Sequence, residues 1–124
     1  MEAVRITLEQ IIEELGLELV TAGDGAVRSI GGGYASDLLS FVMSHARAGD
    51  VWVTLQAHDN VVAVAGLIGL AAVIITEGQR PTAGMIARAE QEGVVLLATA
   101  KTTFTVVAEL AALGLSGGAD GRGS

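Results

Sequence analysis

Two kinds of apolar run alternate along the chain, and their alternation predicts strands separated by helices. Residues 51–55 (VWVTL) form a continuous β-branched and aromatic run, and residues 72–75 (AVII) form a shorter one. Runs without a polar face suit strands covered on both sides, as in a parallel sheet. Between them, residues 60–71 read as a helix that is apolar all round. Asp59 or Asn60 is its expected cap, because a short acceptor satisfies an amide that the first turn leaves unpaired. A strand, a helix crossover and a second strand favour a parallel pair with right-handed connection. The apolar helix must be covered on every side, either by a second subunit or by the sheet and a neighbouring helix of the same chain.

The flanking segments continue the pattern. Thr7 and Gln10 have capping-box spacing; Ile11, Ile12 and Leu15 share one face; and Gly16 is placed to close the helix. Residues 17–21 read as a strand, 22–25 as a turn and 27–30 as further extended chain. Gly31, Gly32 and Gly33 are expected to form a tight turn that opens a helix, with Leu38, Leu39, Phe41 and Val42 giving a helical face that ends near Ala46. Thr82 is the expected cap of the next helix, whose Met85, Ile86 and Ala89 face inward and whose end lies at Gly93. Residues 94–97 then read as a strand and 103–113 as a last helix with a broad apolar surface. The expected architecture is an α/β layered sandwich, its mainly parallel central sheet of about 4–5 strands flanked by helices. Residues 1–115 form one domain in this reading, and residues 116–124, rich in Gly and Ser, form a disordered tail outside the core.

Composition narrows the function. The chain has 124 residues, enough for one domain with a real core, and with 3% aromatics that core is built from Val, Leu, Ile and Ala. A formal net charge of −7 with only 7 Lys and Arg repels phosphates, so nucleic acid and anionic membranes are not expected partners. Without cysteine there is no disulfide, thiolate metal site or cysteine nucleophile. Glu2 precedes any apolar stretch, so no secretory signal is read and a cytoplasmic location is expected. The longest uncharged segment, residues 60–76, has 17 residues and reads as a helix followed by a strand, so no membrane span is expected.

In open parallel sheets, ligands bind beyond the carboxyl ends of the strands, where helix amino termini converge with their unpaired amides. That rule selects Gln56, His58, Asp59 and Asn60 after residues 51–55. It selects Thr76, Glu77 and Gly78 after residues 73–75. Thr99, Lys101 and Thr102, followed by Thr103, come after residues 94–97, and the glycine turn adds Gly32, Gly33 and Ser36. Hydroxyls, amides, a histidine and a lysine at such a rim suit a small anionic ligand such as a nucleotide.

Each residue also has a plainer reading. The glycine run lacks both the GxGxxG of a dinucleotide turn and the GKS or GKT of a phosphate loop, which makes it a mere tight turn. His58 reads as a cap or loop residue and His45 as a partner of its own helix end. Asp59 reads as a cap, since no second ligand stands at metal-binding spacing, and Lys101 as a solvated cation. There is no G-x-S-x-G elbow, Walker motif or kinase set. The chain therefore reads as a binding module that is not an enzyme, with no catalytic residue, metal or cofactor.

Residues 36–81 (SDLLSFVMSHARAGDVWVTLQAHDNVVAVAGLIGLAAVIITEGQRP) and 89–99 (AEQEGVVLLAT) resemble the DRTGG domain, in particular its stand-alone version found near iron hydrogenase genes in anaerobic bacteria. The resemblance runs from Leu8 to Leu115. The family's Asp-Arg element stands here as His58-Asp59-Asn60 and its Thr-Gly-Gly as Thr76-Glu77-Gly78. The resemblance implies an α/β regulatory domain, similar in fold to the amino-terminal domain of HPr kinase. It further implies a homodimer, non-catalytic, and in some relatives adjacent to adenine-nucleotide sensing. Two functions follow: a sensor of a small anionic ligand, an adenine nucleotide being one candidate, or an interaction module of a redox enzyme system with a vestigial ligand site.

Overall fold

The computed structural model describes residues 6–21 and 28–117. Helices and strands alternate as α1 (Leu8–Leu15), β1 (Glu18–Leu19), β2 (Gly32–Ala35), α2 (Leu39–His45), β3 (Asp50–Thr54), α3 (Asp59–Ile68), β4 (Ala72–Ile75), α4 (Ala83–Glu92), β5 (Leu96–Ala98) and α5 (Thr103–Ala112). The sheet order is β1-β5-β4-β3-β2. β1 runs antiparallel to β5, and every other neighbouring pair is parallel. This is the α/β sandwich with a mainly parallel sheet that the apolar runs predict.

Both faces of the sheet are covered, so β3 and β4 are buried at every residue. Val51, Val53, Ile74 and Leu97 pack under α1 and α5, whereas Trp52, Val73, Ile75 and Leu96 pack under α2, α3 and α4. Helix ends follow local chemistry. The hydroxyls of Thr7, Thr82 and Thr102 accept from amides three residues on, at 3.1–3.2 Å, and Gly16 and Gly93 close their helices in the left-handed region.

Two expectations change in part, and two that were left open are decided. The fifth strand is residues 32–35 rather than 27–30, of which Ser29 makes a single antiparallel bridge to Thr7. The glycine run therefore does not turn into a helix: Gly32 and Gly33 pair with Asp50 and Val51, and α2 begins only after the Ser36 turn. Parallel pairing with β3 supplies the order that side chains cannot. Second, His58 caps α3, its Nδ1 accepting from the Asn60 amide at 3.2 Å, and Asp59 sits in the first turn. Third, α3 is covered within the chain. Val61, Val62, Val64 and Ala65 are buried between the sheet and the flanking α2 and α4, while Gly66 and Leu67 face solvent.

Fourth, Ser116 and Gly117 are not free chain. The Gly33 amide donates to the Ser116 carbonyl at 3.0 Å, and Gly117 bridges Gly33 in parallel. The rest of the expected tail, residues 118–124, and the expected turn at 22–25 lie outside the described residues, as does Val27. Among the described residues no helix is long and apolar enough to cross a membrane.

Candidate functional site

The parallel strands β2 to β5 all end at one edge of the sheet, and the loops that leave them carry most of the expected residues to that edge. Ser36 follows β2 and Gln56 follows β3. Thr76 and Gly78 follow β4, and Thr99, Lys101 and Thr102 follow β5. His58, Asp59 and Asn60 open α3 at the same edge and are exposed. Gly32 and Gly33 do not join them, because they pair with the first residues of β3 at the other end of the sheet.

A continuous hydrogen-bond chain ties the rim together. Asp37 Oδ1 accepts from the Thr54 hydroxyl at 2.7 Å and from the Leu55 amide at 2.9 Å. Gln56 Nε2 donates to the Asp37 carbonyl at 3.3 Å, and Trp52 Nε1 donates to the Ser36 carbonyl at 2.8 Å. The buried Thr76 hydroxyl reaches the Thr54 carbonyl at 3.4 Å and the Thr103 hydroxyl at 2.6 Å. The Gly78 amide donates to the Thr99 carbonyl at 3.1 Å, and the Thr99 hydroxyl accepts from the Lys101 amide at 3.2 Å.

Glu77 is the least expected member. It has φ 64°, the one non-glycine residue with positive φ among those described, in a region where a side chain costs about 1–2 kcal/mol. Its carboxylate accepts from the Thr103 amide at 2.9 Å, and its own amide donates to the Lys101 carbonyl at 2.8 Å. A carboxylate of the chain therefore already sits at the amino terminus of α5, where the helix dipole favours an anion. Two effects oppose each other on substitution. Glu77→Ala keeps the unfavourable backbone and loses the carboxylate, whereas Glu77→Gly loses the carboxylate but relieves the backbone. In urea unfolding, Glu77→Gly is expected to exceed Glu77→Ala in stability by about 1 kcal/mol.

The cations of the rim are also engaged. Arg80, on the loop after β4, donates to both carboxylate oxygens of Glu18 at 2.7 and 3.0 Å. Lys101 Nζ donates to the Leu15 carbonyl at 2.9 Å and to Glu109 Oε1 at 2.8 Å. The Arg80 hydrogen bond, helped by its charge, holds the Glu18 carboxyl below its ordinary value and raises the Arg80 guanidinium above its own. Because the folded value of Glu18 is the depressed one, any stability from this pair is present above the ordinary carboxylate range and fades as pH falls through the folded value. Arg80→Ala is expected to return the Glu18 titration, followed by carbon-detected NMR, to the ordinary glutamate range. Away from the rim, Glu92 raises Arg88 in the same way across one turn of α4.

The His58 imidazole is used as a helix cap, and no group of three or more His, Asp or Glu able to hold a metal occurs among the described residues. Of the rim residues the sequence reading omits Thr54, and it places Asp37 and Glu77 in the rim segments without giving either a role. Thr54 had a signal, a polar end on an apolar strand. Asp37 and Glu77 act through backbone amides of distant segments, for which sequence gives no sign.

A separate cavity of about 290 Å³ lies on the α5 side of the sheet, by the edge strand β2. Gly33, Ala35 and Val53 line it from the sheet, and Val107, Leu110, Ala111 and Leu115 from α5 and the segment after it. It exists because β2 presents only Gly33 and Ala35 on that face.

The sequence profile of the DRTGG domain matches residues 10–113. No curated protein matches the chain. Among solved structures, the CBS and DRTGG domains of the regulatory region of Clostridium perfringens pyrophosphatase, complexed with the activator diadenosine tetraphosphate, share the fold with a TM-score of 0.71 at 17% identity. That likeness covers 84% of this chain and 45% of the other, so the chain spans less than half of that regulatory region.

Proposed function

This chain belongs to the DRTGG domain family, and from that premise we propose that it is a non-catalytic, cytoplasmic regulatory module that acts by protein contact as a homodimer. On this reading the strand-end rim is structural. The observation that carries it is the Glu77 carboxylate on the Thr103 amide, with Arg80 and Lys101 each paired to a carboxylate. A phosphate oxygen about 4 Å from that carboxylate meets a repulsion of about 4 kcal/mol per pair of unit charges at an effective dielectric of about 20. A helix amino terminus returns only about 0.3–1 kcal/mol to an anion. Repulsion wins, and the rim disfavours nucleotides. The partner that fits the resemblance is an enzyme of a redox, hydrogenase-type system.

A thermal-shift series with AMP, ATP and diadenosine tetraphosphate at millimolar concentration tests the reading. The expected melting temperature is unchanged. Binding at 100 times the dissociation constant adds about 2.7 kcal/mol, a rise of several degrees, and that result would support a sensor instead.

The sensor reading has one observation in its favour: the regulatory region that shares this fold carries an adenine-nucleotide activator. It places a small anionic ligand among Ser36, Gln56, His58, Thr76 and Thr99. That ligand would have to displace the Glu77 carboxylate from α5.

A further inference from the structure

We propose that α5 is the self-association face, and that a second copy docks antiparallel along it with its Phe104 ring in the cavity between α5 and β2. The proposal rests on the homodimer reading above and names the surface that the reading leaves open.

The outer face of α5 is unusual for a surface helix. All its exposed positions, Phe104, Val107, Ala108, Ala111 and Ala112, are apolar, and Phe104 is 84% exposed. At 3.6 residues per turn these five fall on one continuous stripe. By contrast, the outer face of α4 carries Glu90, Gln91 and Glu92. In a chain of net charge −7, two copies meeting on the α4 face bring carboxylates together, whereas the α5 stripe carries no charge.

The stripe is also complementary to itself. A projecting aromatic ring at Phe104 and the lip of the cavity at Ala111 stand on the same face, two turns or about 10 Å apart. A two-fold axis beside Val107 and Ala108 therefore sets each Phe104 against the other copy's Ala111, so that one operation fills both cavities. The alanines between allow the helix axes to approach to about 8 Å. The cavity has room for the ring: a pocket of about 150 Å³ lined by apolar side chains admits benzene, and this one measures about 290 Å³. A foreign partner would need to supply both a ring and a matching hollow in the same spacing. A second copy has them already.

The chain has no cysteine, so single cysteines give clean cross-links. Under mild oxidation, Ala108→Cys, beside the axis, is expected to form a disulfide-linked dimer, and Leu67→Cys on the exposed side of α3 is expected to remain single. In sedimentation equilibrium, wild-type protein is expected to be dimeric. Phe104→Glu and Ala35→Leu, which removes the ring and fills the hollow respectively, are expected to weaken the dimer at least ~30-fold, the size of a hot-spot loss. Circular dichroism of both variants checks that the fold is kept. A wild-type dimer that Phe104→Glu leaves intact and Ala108→Cys does not trap overturns the proposed face while leaving the homodimer standing. A wild-type protein that stays monomeric at about millimolar concentration overturns both. Nucleotide binding at the rim bears on neither outcome.

Discussion

Trp52→Ala is expected to be the most damaging single substitution, lowering stability by about 3–5 kcal/mol. Trp52 is the largest fully buried side chain, at 0% exposure, on the interior strand β3 under α2 and α3. Truncation leaves a hollow that neighbouring β-branched residues cannot fill, because their rotamers are stiff. It also removes the indole donor at 2.8 Å from the Ser36 carbonyl, which fixes the turn from β2 into α2. For a domain of this length the loss corresponds to a melting temperature lower by roughly 10–20 °C. Calorimetry reads it directly. Trp52→Phe keeps most of the packing and loses the donor, and a fall of about 1–2 kcal/mol is expected.

Asp37→Ala ranks second, at about 2 kcal/mol, even though Asp37 itself is exposed. Its Oδ1 is the acceptor for the Thr54 hydroxyl and the Leu55 amide. Thr54 is fully buried, so loss of that acceptor leaves a hydroxyl proton facing no partner in place of water. The acceptor matters more than the charge. Asp37→Asn retains Oδ1 and is therefore expected to cost less than about 1 kcal/mol in urea unfolding, and equal losses for the two variants would refute this account of the rim.

Much of the fold is legible where the cause is local. Thr7 and Thr82 cap their helices through amides three residues away, and β3 and β4 declare themselves as unbroken apolar runs. What sequence does not show is caused at a distance. Gly32 and Gly33 have no side chain to mark a strand; they become one because β3 lies alongside, 18 residues on. Ser116 and Gly117 look like linker and are held by the Gly33 backbone. The all-apolar α3 predicts burial, yet whether sheet, α2 and α4 or another subunit covers it depends on the topology. The broad apolar surface of α5, by contrast, is visible in the sequence, and only the hollow left by Gly33 and Ala35 gives it a shape.

The rim shows the same division. The rule of strand ends places Ser36, Gln56, Thr76 and Thr99 at one edge, because parallel order fixes which ends meet. It does not foresee that Glu77 adopts a left-handed backbone and turns its carboxylate onto α5, a consequence of the Lys101 carbonyl and Thr103 amide lying across from it. A residue that reads as loop thus decides the electrostatics of the site.

On the proposed reading the chain's own groups close this edge of the sheet. Amide NMR during titration with ATP and diadenosine tetraphosphate tests it most directly. The Leu55, Gly78 and Thr103 amides are predicted to keep their resonance positions up to millimolar nucleotide. Saturable displacement of the Thr103 and Leu55 signals would contradict the account, since it requires the ligand to take the places held by Glu77 and Asp37.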